Sequence, residues 1–272
     1  MGTLYLVATP IGNLEDISAR ALRVLRQVSL IAAEDTRVTR KLLTHYDIHT
    51  RCISYYEQNK LSRLDVILSE LTRGEVAVVS DAGTPGLNDP GYELIRAALQ
   101  AGHGVRPIPG PASPVAALVA SGLPTDSFLY LGYLPRRSTE RKAALKLVSG
   151  LPYTLVFLEA PHRLRDTLED LQSVLGDRSA AVARELTKLH EEIWRGHLGE
   201  AVRYFKEPRG EFTLVVQGKR AGASERWTEA QLRAAIRTRL AGGDAATVVA
   251  AELARESGWT RREIYKLAAA HR

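Results

Sequence analysis

The sequence is poor in the residues that build covalent or metal-bound frameworks. Its 272 residues include a single cysteine, Cys52. One cysteine excludes an internal disulfide and any cysteine-based metal site, and it is typical of a reduced cytoplasmic protein. We therefore expect no metal centre. No apolar run reaches the roughly 20 residues of a membrane span, and Pro10 and Gly12 follow the start too closely for a signal peptide.

Several common catalytic motifs are also absent. The chain contains no Gly-x-Gly-x-x-Gly after its first apolar run, no Walker A motif, no Gly-x-Ser-x-Gly elbow and no His-Glu-x-x-His pair. These absences argue against an ordinary dinucleotide fold, a P-loop nucleotidase, an α/β hydrolase and a helix-borne zinc protease. With 45% apolar and 25% charged residues, the composition is that of an ordinary globular protein.

Basic charge is present in excess and is unevenly distributed. The net charge is +6, and residues 219–272 carry eleven Lys/Arg against six Asp/Glu, which leaves +1 for the other 218 residues. A basic C-terminal segment favours a polyanionic partner, of which nucleic acid is the usual one. A solvated basic face is the alternative.

The most informative stretch is 76–91, VAVVSDAGTPGLNDPG. Val76–Val79 is a short apolar run typical of a strand buried on both faces. Three glycines and two prolines follow between Gly83 and Gly91, which indicates a shaped loop at the carboxyl end of that strand. Open α/β folds bind ligands at such ends, and Asp81 supplies one fixed anionic acceptor there. A tight structural turn is the alternative.

Similar strand, loop and helix signals recur along the chain. They predict a mostly parallel α/β domain over 1–121, a second α/β domain over 122–218 and a flexible linker at 218–224. In the second domain we expect a loop at 159–163. Residues 224–272 are helical in pattern, and a turn at 257–260 indicates a helix-turn-helix module, with a plain three-helix bundle as the alternative.

Seven segments together carry a family resemblance. In chain order the sequence reads ATPIGNLEDIS, AEDTR, SDAGTPGLNDPG, PGPAS, EAPHR, RELTKLHEE and GEFTLVV. This series resembles the ribosomal RNA small-subunit methyltransferase I family, whose members have the tetrapyrrole-methylase fold. The resemblance extends over almost the whole chain. Two departures are slight: Ala112-Ser113 where many members read Ser-Ala, and Glu159-Ala160 where many read Glu-Ser.

The resemblance implies an enzyme that uses S-adenosylmethionine to methylate the ribose 2'-hydroxyl of a cytidine in the decoding centre of 16S rRNA, in the small ribosomal subunit. It also implies a cytoplasmic homodimer with the cofactor in the cleft between two α/β domains. The residues that it places around the cofactor are Ile11, Asp81, Gly83, Thr84, Ala112, Ser113 and Leu158, with Glu159 beside them.

Methyl transfer from an activated donor needs positioning and an acceptor for the hydroxyl proton. The candidates, each next to a predicted strand end, are Asp35, Glu159, His162, Glu185 and Lys188. A hydrogen-bonded structural histidine and a surface Glu185–Lys188 ion pair are the alternatives.

RNA binding requires cations and surfaces on which bases stack. The cations that we expect to serve are Arg37, Arg40, Arg136, Arg137, Arg163, Arg261, Arg262 and Lys266, with Lys41, Arg141 and Lys142 nearby. Arg163 has pairing with Glu159 as its alternative. Tyr55, Tyr56, Tyr130 and Tyr133 are stacking candidates, each with a core role as the alternative.

Two other functions stay open at this point. A tetrapyrrole or other small-molecule methyltransferase would share the glycine-rich loops but would leave the basic C-terminal segment unexplained. A non-catalytic RNA-binding protein would leave the loops unexplained.

Overall fold

The computed structural model describes residues 2–219 and 227–269. The chain divides into two compact units, one of Met1–Ser149 with Tyr153–Gln217 and the other of Gly150–Pro152 with Gly218–Arg272. Residues 220–224 of the predicted linker, and 224–226 and 270–272 of the predicted helical domain, lie outside the described residues. Within the described ranges, no helix has both the length and the hydropathy needed to cross a bilayer.

The first sheet of the larger unit is parallel throughout. Its strands are β1 (Thr3–Val7), β2 (Leu30–Ala33), β3 (Cys52–Ser54), β4 (Val76–Val79) and β5 (Gly104–Ile108), in the order β3-β2-β4-β1-β5. Every residue of β2 and β4 is buried, as near-continuous apolar runs require at the centre of a covered sheet. All five carboxyl ends therefore meet at one edge.

Helices cover both faces of this sheet. α1 (Ala19–Gln27) and α2 (Thr36–His45) bury their apolar sides in one core, while α3 (Lys60–Arg73) and α4 (Tyr92–Gln100) bury theirs in the other. On α3 the buried residues are Ile67 and Leu71, whereas Leu61 is 68% exposed. This is the doubly wound arrangement that the strand, loop and helix pattern predicts.

The second sheet is mixed. Its strands are β6 (Phe128–Tyr133), β7 (Thr154–Glu159), β8 (Ser179–Arg184), β9 (Glu192–His197) and β10 (Phe212–Val216), in the order β6-β7-β10-β8-β9. Only β6 and β7 are parallel, and the other pairs are antiparallel. α5 (Ser113–Ala120) packs on one face of this sheet, and α6 (Ser138–Val148), α7 (Pro161–Leu175) and α8 (Leu198–Tyr204) cover the other.

Two features of this region differ from the sequence-based expectations. The segment 159–163 is not a loop, because Glu159 ends β7 and Pro161 opens α7 at the position where a helix tolerates proline best. α5 precedes the predicted boundary at residue 121, yet it packs on the second sheet through Ala117 and Leu118. The boundary itself stays a prediction.

Within its described residues, the smaller unit contains three helices, α9 (Glu229–Ala241), α10 (Ala246–Glu256) and α11 (Arg261–Ala269), which share one apolar core. Two of these helices begin with a capping box, for which the sequence has the required residue spacing. The Thr228 N–H donates to Gln231 Oε1 at 2.9 Å, and the Thr260 N–H donates to Glu263 Oε2 at 2.8 Å. The sequence signals therefore fix where α9 and α11 begin. Whether the unit meets nucleic acid stays a prediction.

Candidate functional site

The loops that leave the first sheet are joined to one another by hydrogen bonds. Thr9, after β1, and Gly83, after β4, exchange two backbone bonds with N–O distances of 2.9 and 3.1 Å. The Thr84 hydroxyl donates to the Pro111 carbonyl, after β5, at 3.3 Å. Gly83 has φ of 84°, a conformation that few residues other than glycine adopt. Three strand ends therefore form one continuous wall.

This wall borders a cavity of about 220 Å³, which we call the first cavity. Its volume lies just below the roughly 300–1,000 Å³ typical of small-molecule sites. The structure brings all seven residues of the expected cofactor shell to it: Ile11, Asp81, Gly83, Thr84, Ala112, Ser113 and Leu158. The second sheet closes the cavity from the other side with Tyr130, Tyr133, Leu186, Glu211 and Phe212.

Three carboxylates in the first cavity lie close together. Glu34 Oε2 accepts the Asp81 N–H at 3.2 Å, and Asp81 Oδ1 accepts the Asp35 N–H at 2.9 Å. Burial raises the pKa of Asp89 to about 6, and the charges of Glu34 and Asp81 add to the rise. Burial likewise raises the pKa of Glu34 and of Asp81.

These three acids have no salt-bridge partner. Within residues 2–219 and 227–269, none of Glu34, Asp81 and Asp89 forms a salt bridge. Partly buried carboxylates without such partners repel one another, and a positively charged ligand relieves that repulsion. The first cavity is therefore suited to a small molecule that carries positive charge.

A contact between the two sheets fixes the loop that carries Asp89. The Tyr130 hydroxyl, on β6, donates to Asn88 Oδ1 at 2.6 Å. Asn88 has φ of 66°, and Gly132 has φ of 60°. A Cβ on Gly132 would stand 2.4 Å from the Asn88 amide nitrogen, so the glycine leaves the space that Asn88 fills. The loop after β4 is thus held against the second sheet.

A second cavity, of about 370 Å³, adjoins the first. The two cavities share the lining residues Ile11, Asp81, Ala82 and Glu211. Residues of the β1 loop and α2 form most of the second cavity, and Lys188 lines it from the loop after β8. Two adjoining spaces share Asp81 and Glu211, an arrangement that suits a reaction of two substrates.

Lys188 links two carboxylates at this junction. Its Nζ donates to Glu185 Oε1 at 3.0 Å and to Glu211 Oε2 at 2.9 Å. Burial alone would lower the pKa of Lys188, but its hydrogen bonds to Glu211 and Glu185 outweigh burial and raise that pKa. Lys188 is therefore protonated at neutral pH and acts as a donor. The Glu185–Lys188 pair forms, as the structural alternative expects, and Lys188 lines the second cavity as well.

The other catalytic candidates line neither cavity. Asp35 caps α2 and pairs with Arg37 at 2.6 Å, and hydrogen bonding to Arg37 lowers the pKa of Asp35 to about 2. Glu159 is fully buried, accepts the Thr167 hydroxyl at 2.6 Å and pairs with Arg163 at 3.3 Å. His162 is exposed on the first turn of α7. Of the three, Asp35 reaches the junction through its backbone N–H, which donates to Asp81, and its carboxylate is engaged by Arg37.

The expected RNA-binding cations differ in exposure and in their partners. Arg163 pairs with Glu159, and its Nη2 donates to the Leu134 carbonyl at 2.7 Å, so the pairing alternative is observed and an RNA contact stays a prediction. Arg141, considered with this group, is buried against Asp170 at 2.6 Å. Of the expected cations in the larger unit, the exposed ones are Arg37, which also pairs with Asp35, Arg40, Lys41, Arg136 and Arg137.

The remaining RNA-binding candidates are placed as follows. In the smaller unit, Arg261 and Arg262 line a cavity of about 420 Å³ with Thr247 and Tyr265, and Lys266 is exposed beside it. Among the stacking candidates, Tyr55 belongs to the core, while Tyr56 is exposed and Tyr130 and Tyr133 line the first cavity.

Sequence reasoning did not select three acids that the structure places in the cavities: Glu34, Asp89 and Glu211. Each lies inside a segment that carries the family resemblance, and Glu34 and Glu211 adjoin a predicted strand. The family-like segments therefore pointed to these three positions. The sequence does not show which of several neighbouring acids point into the same space.

Comparisons with known proteins indicate the family of this chain. The family model for Tetrapyrrole (Corrin/Porphyrin) Methylases matches residues 3–202. A Halalkalibacterium halodurans protein named "Ribosomal RNA small subunit methyltransferase I" is 50% identical over 233 residues, 84% of this chain and 81% of that protein. A Synechocystis sp. protein of the same name is 47% identical over 271 residues, 98% of this chain and 97% of that protein.

Solved structures show the same fold. The crystal structure of uroporphyrin-III-C-methyltransferase from Thermus thermophilus matches with a TM-score of 0.57 and 22% identity, over 80% of this chain and 94% of that chain. At this identity the match speaks for the fold alone. The family model and the relatives together confirm the resemblance seen in the seven segments. The chain therefore belongs to the tetrapyrrole methylase family and, within it, to the ribosomal RNA small subunit methyltransferase I family.

Proposed function

We propose that this protein is a methyltransferase that uses S-adenosylmethionine to methylate the ribose 2'-hydroxyl of a cytidine in the decoding centre of 16S rRNA. One observation carries the proposal: an acid-lined cavity at joined strand ends adjoins a second cavity and shares Asp81 and Glu211 with it. The names of relatives that are 47–50% identical support an rRNA substrate.

The residues of the first cavity fit the proposed cofactor. S-adenosylmethionine carries a sulfonium and an ammonium cation, and three carboxylates without salt-bridge partners line the described cavity. Ile11, Leu87 and Leu158 offer apolar contact for an adenine ring, and Asp81 is suited to a polar contact with the ribose or the methionine portion. The carboxylates thus match the cationic part of S-adenosylmethionine, and the apolar residues match its adenine ring.

When bound, the cofactor supplies a methyl group already activated by the positive sulfur. The task of the protein is then to align the acceptor oxygen with the methyl carbon and the sulfur and to keep water out. The joined loops of the first sheet and the Asn88–Tyr130 contact hold the cavity walls in fixed positions. Fixed walls of this kind supply orientation, the main source of rate in such a transfer.

We extend the proposal to the partners that the resemblance implies. The enzyme acts on 16S rRNA in the small ribosomal subunit, as a homodimer in the cytoplasm. In the larger unit, Arg37 and Arg40 on α2 lie on the element that lines the second cavity, which is where phosphates of a bound strand would approach. Arg136, Arg137, Arg261, Arg262 and Lys266 are further exposed cations for the same role.

The direct test is transfer from methyl-labelled S-adenosylmethionine to small ribosomal subunits isolated from cells that lack this protein. We expect one 2'-O-methylcytidine in the decoding centre, mapped by mass spectrometry of nuclease fragments. Subunits incubated without enzyme are the control. The same map from cells with and without the protein checks the site in vivo.

The two other functions give different outcomes in the same experiment. A small-molecule methyltransferase would leave the subunits unlabelled and would transfer label to a porphyrinoid. A non-catalytic RNA-binding protein would bind subunits but would show no heat of binding with S-adenosylmethionine in calorimetry. Either outcome would overturn the proposal.

A further inference from the structure

The second cavity has a composition of its own. Its apolar lining residues are Leu14, Val38 and Leu42, and its hydroxyl-bearing lining residues are Thr9, Thr39 and Ser80. Lys41 and Lys188 add two amines, of which the Lys188 amine is hydrogen-bonded to Glu185 and Glu211. Amines suit phosphates, hydroxyls suit a ribose and an apolar wall suits the face of a base. At about 370 Å³ the space is within the range of small-molecule sites.

We propose that the second cavity receives the acceptor nucleotide and that Glu211, at the junction of the two cavities, takes up the proton of the reacting hydroxyl. Lys188 positions Glu211 for this role. The inference rests on the proposed function, and it adds the acceptor subsite and the proton acceptor.

Elimination among the junction residues selects Glu211. Asp81 and Glu211 are the two carboxylates that line both described cavities. Each of them has one engaged oxygen: Asp81 Oδ1 accepts the Asp35 N–H at 2.9 Å, and Glu211 Oε2 accepts from Lys188 at 2.9 Å. Lys188 is protonated and donates, so it cannot accept a proton. The proposed function already gives Asp81 a polar contact with the cofactor, which leaves Glu211, whose side chain is 74% exposed, as the junction carboxylate for the acceptor.

Glycines and strained residues fix the position of Lys188. A Cβ on Gly12 would stand 2.4 Å from Lys188 Cγ, and a Cβ on Gly210 would stand 2.4 Å from Glu185 Cγ. Glu185 and Thr187 have φ of 49° and 67°, which is uncommon for residues other than glycine. Strain of this kind persists where the surroundings hold it in place, and it clusters at functional sites. The loop after β8 is thus built to present Lys188 to Glu211.

The reaction balances without a further reactant. The hydroxyl oxygen forms a bond to the methyl carbon while the bond from that carbon to sulfur breaks, and its electron pair stays on sulfur. The hydroxyl proton passes to the Glu211 carboxylate and then to solvent. A positioned carboxylate of this type contributes about 10²–10⁴-fold in rate.

The first test is Glu211→Gln, which keeps the shape of the side chain and removes its ability to take up a proton. We expect kcat on small ribosomal subunits to fall about 10²–10⁴-fold, with KM for subunits and calorimetric affinity for S-adenosylmethionine unchanged within threefold. Glu207→Gln is the matched control, because Glu207 is 86% exposed and lines neither cavity. A Glu211→Gln enzyme within threefold of the wild-type kcat would overturn the role of Glu211.

The second test fills the cavity. Val38→Trp should raise KM for small subunits at least tenfold and weaken subunit binding in filter assays, while calorimetric affinity for S-adenosylmethionine stays within twofold. Val66→Trp is the control, since Val66 is also 38% exposed but lies on α3, outside the second cavity. Equal KM values for the two variants would overturn the acceptor subsite.

These outcomes separate the inference from the function on which it rests. If the wild-type protein transfers no methyl group to small subunits, the proposed function fails. If the wild-type protein is active and both variants behave as their controls do, the function stands and the inference fails. Thermal unfolding of each variant shows whether it remains folded. If Val38→Trp does not fold, Leu14→Trp tests the same cavity, because Leu14 also lines it and is 38% exposed.

Discussion

The buried and partly buried carboxylates near the two sheets of the larger unit differ in whether they form salt bridges. At the ends of the first sheet, Glu34, Asp81 and Asp89 have raised pKa values, and none of them forms a salt bridge within the described ranges. Around the second sheet, Glu159 and Asp170 are buried and paired with arginines. Among these five acids, the three without salt bridges line the first cavity, whereas the two paired with arginines support the fold.

Substitution of Asp170 should have the largest effect of these predictions, a loss of folding stability. Its carboxylate meets Arg141 at 2.6 Å in a buried pair, with Lys142 at 3.2 Å, and Ser138 donates to it at 3.0 Å. Asp170→Ala leaves the Arg141 charge buried without a partner, so we expect a loss of about 3–5 kcal/mol in the free energy of unfolding. Urea unfolding measures it.

The same change should leave the first cavity unaffected, with calorimetric affinity for S-adenosylmethionine within twofold of wild type. Asp166→Ala, on an exposed position of the same helix, is the control. If Asp170→Ala lost cofactor affinity while remaining folded, the division between supporting and ligand-binding acids would be wrong.

Asp81→Ala tests the acids at the ends of the first sheet. Removal of a charged hydrogen-bonding group costs about 1.5–3 kcal/mol of binding, so we expect cofactor affinity to fall about 10–100-fold. The thermal midpoint should change little, because Asp81 forms no salt bridge among the described residues. Calorimetry measures affinity, and Asp65→Ala on α3 is the control. Unchanged affinity would remove Asp81 from the site.

The pKa of Asp89 gives a smaller, pH-dependent effect. In the free protein, burial raises this pKa to about 6, so Asp89 is charged above that pH and neutral below it. A cationic cofactor prefers the charged form, so its affinity should be full above about pH 7 and fall severalfold toward pH 5. Calorimetry in buffers of different ionisation enthalpy should show proton release near pH 6. Asp89→Asn should remove both effects.

Asp89→Asn should also alter stability slightly. The folded-state pKa of about 6 lies above the unfolded value of about 3.9, so the folded state holds the proton longer and stability falls as pH rises through that window. At pH 8 Asp89→Asn does not undergo this loss of stability. The cofactor-free variant should therefore melt roughly 1–3 °C higher than the cofactor-free wild type. If the difference in thermal midpoint between Asp89→Asn and the wild type were the same at pH 8 and at pH 4.5, the raised pKa of Asp89 would be contradicted.

The sequence predicted those parts of the fold that depend on local pattern. The bounds of β4 and β10 match their apolar runs, because a strand buried on both faces is apolar throughout. β3 and α8 were missed: β3 has three residues and exists through its pairing with β2, and α8 has only seven residues. Such elements are set by tertiary contacts, which a local pattern does not contain.

The same limit applies to the site. The glycine-rich loops were predicted to surround one ligand, and the structure brings their residues to one cavity because parallel strands end at one edge. The pairing of Glu159 with Arg163 follows from their i,i+4 spacing on entry to α7 and was foreseen as an alternative. The junction of Glu211 with Lys188 was not foreseen, since it depends on how the ends of β8 and β10 lie beside the loop after β1.

The space that Gly132 leaves for Asn88 has a consequence for the history of this chain. The two positions are 44 residues apart in sequence, yet a side chain at one occupies the room needed at the other. A larger residue at 132 would have to displace the Asn88 side chain and adopt a left-handed backbone conformation. In a lineage that keeps the Tyr130–Asn88 hydrogen bond, we therefore expect Gly132 to be kept with it.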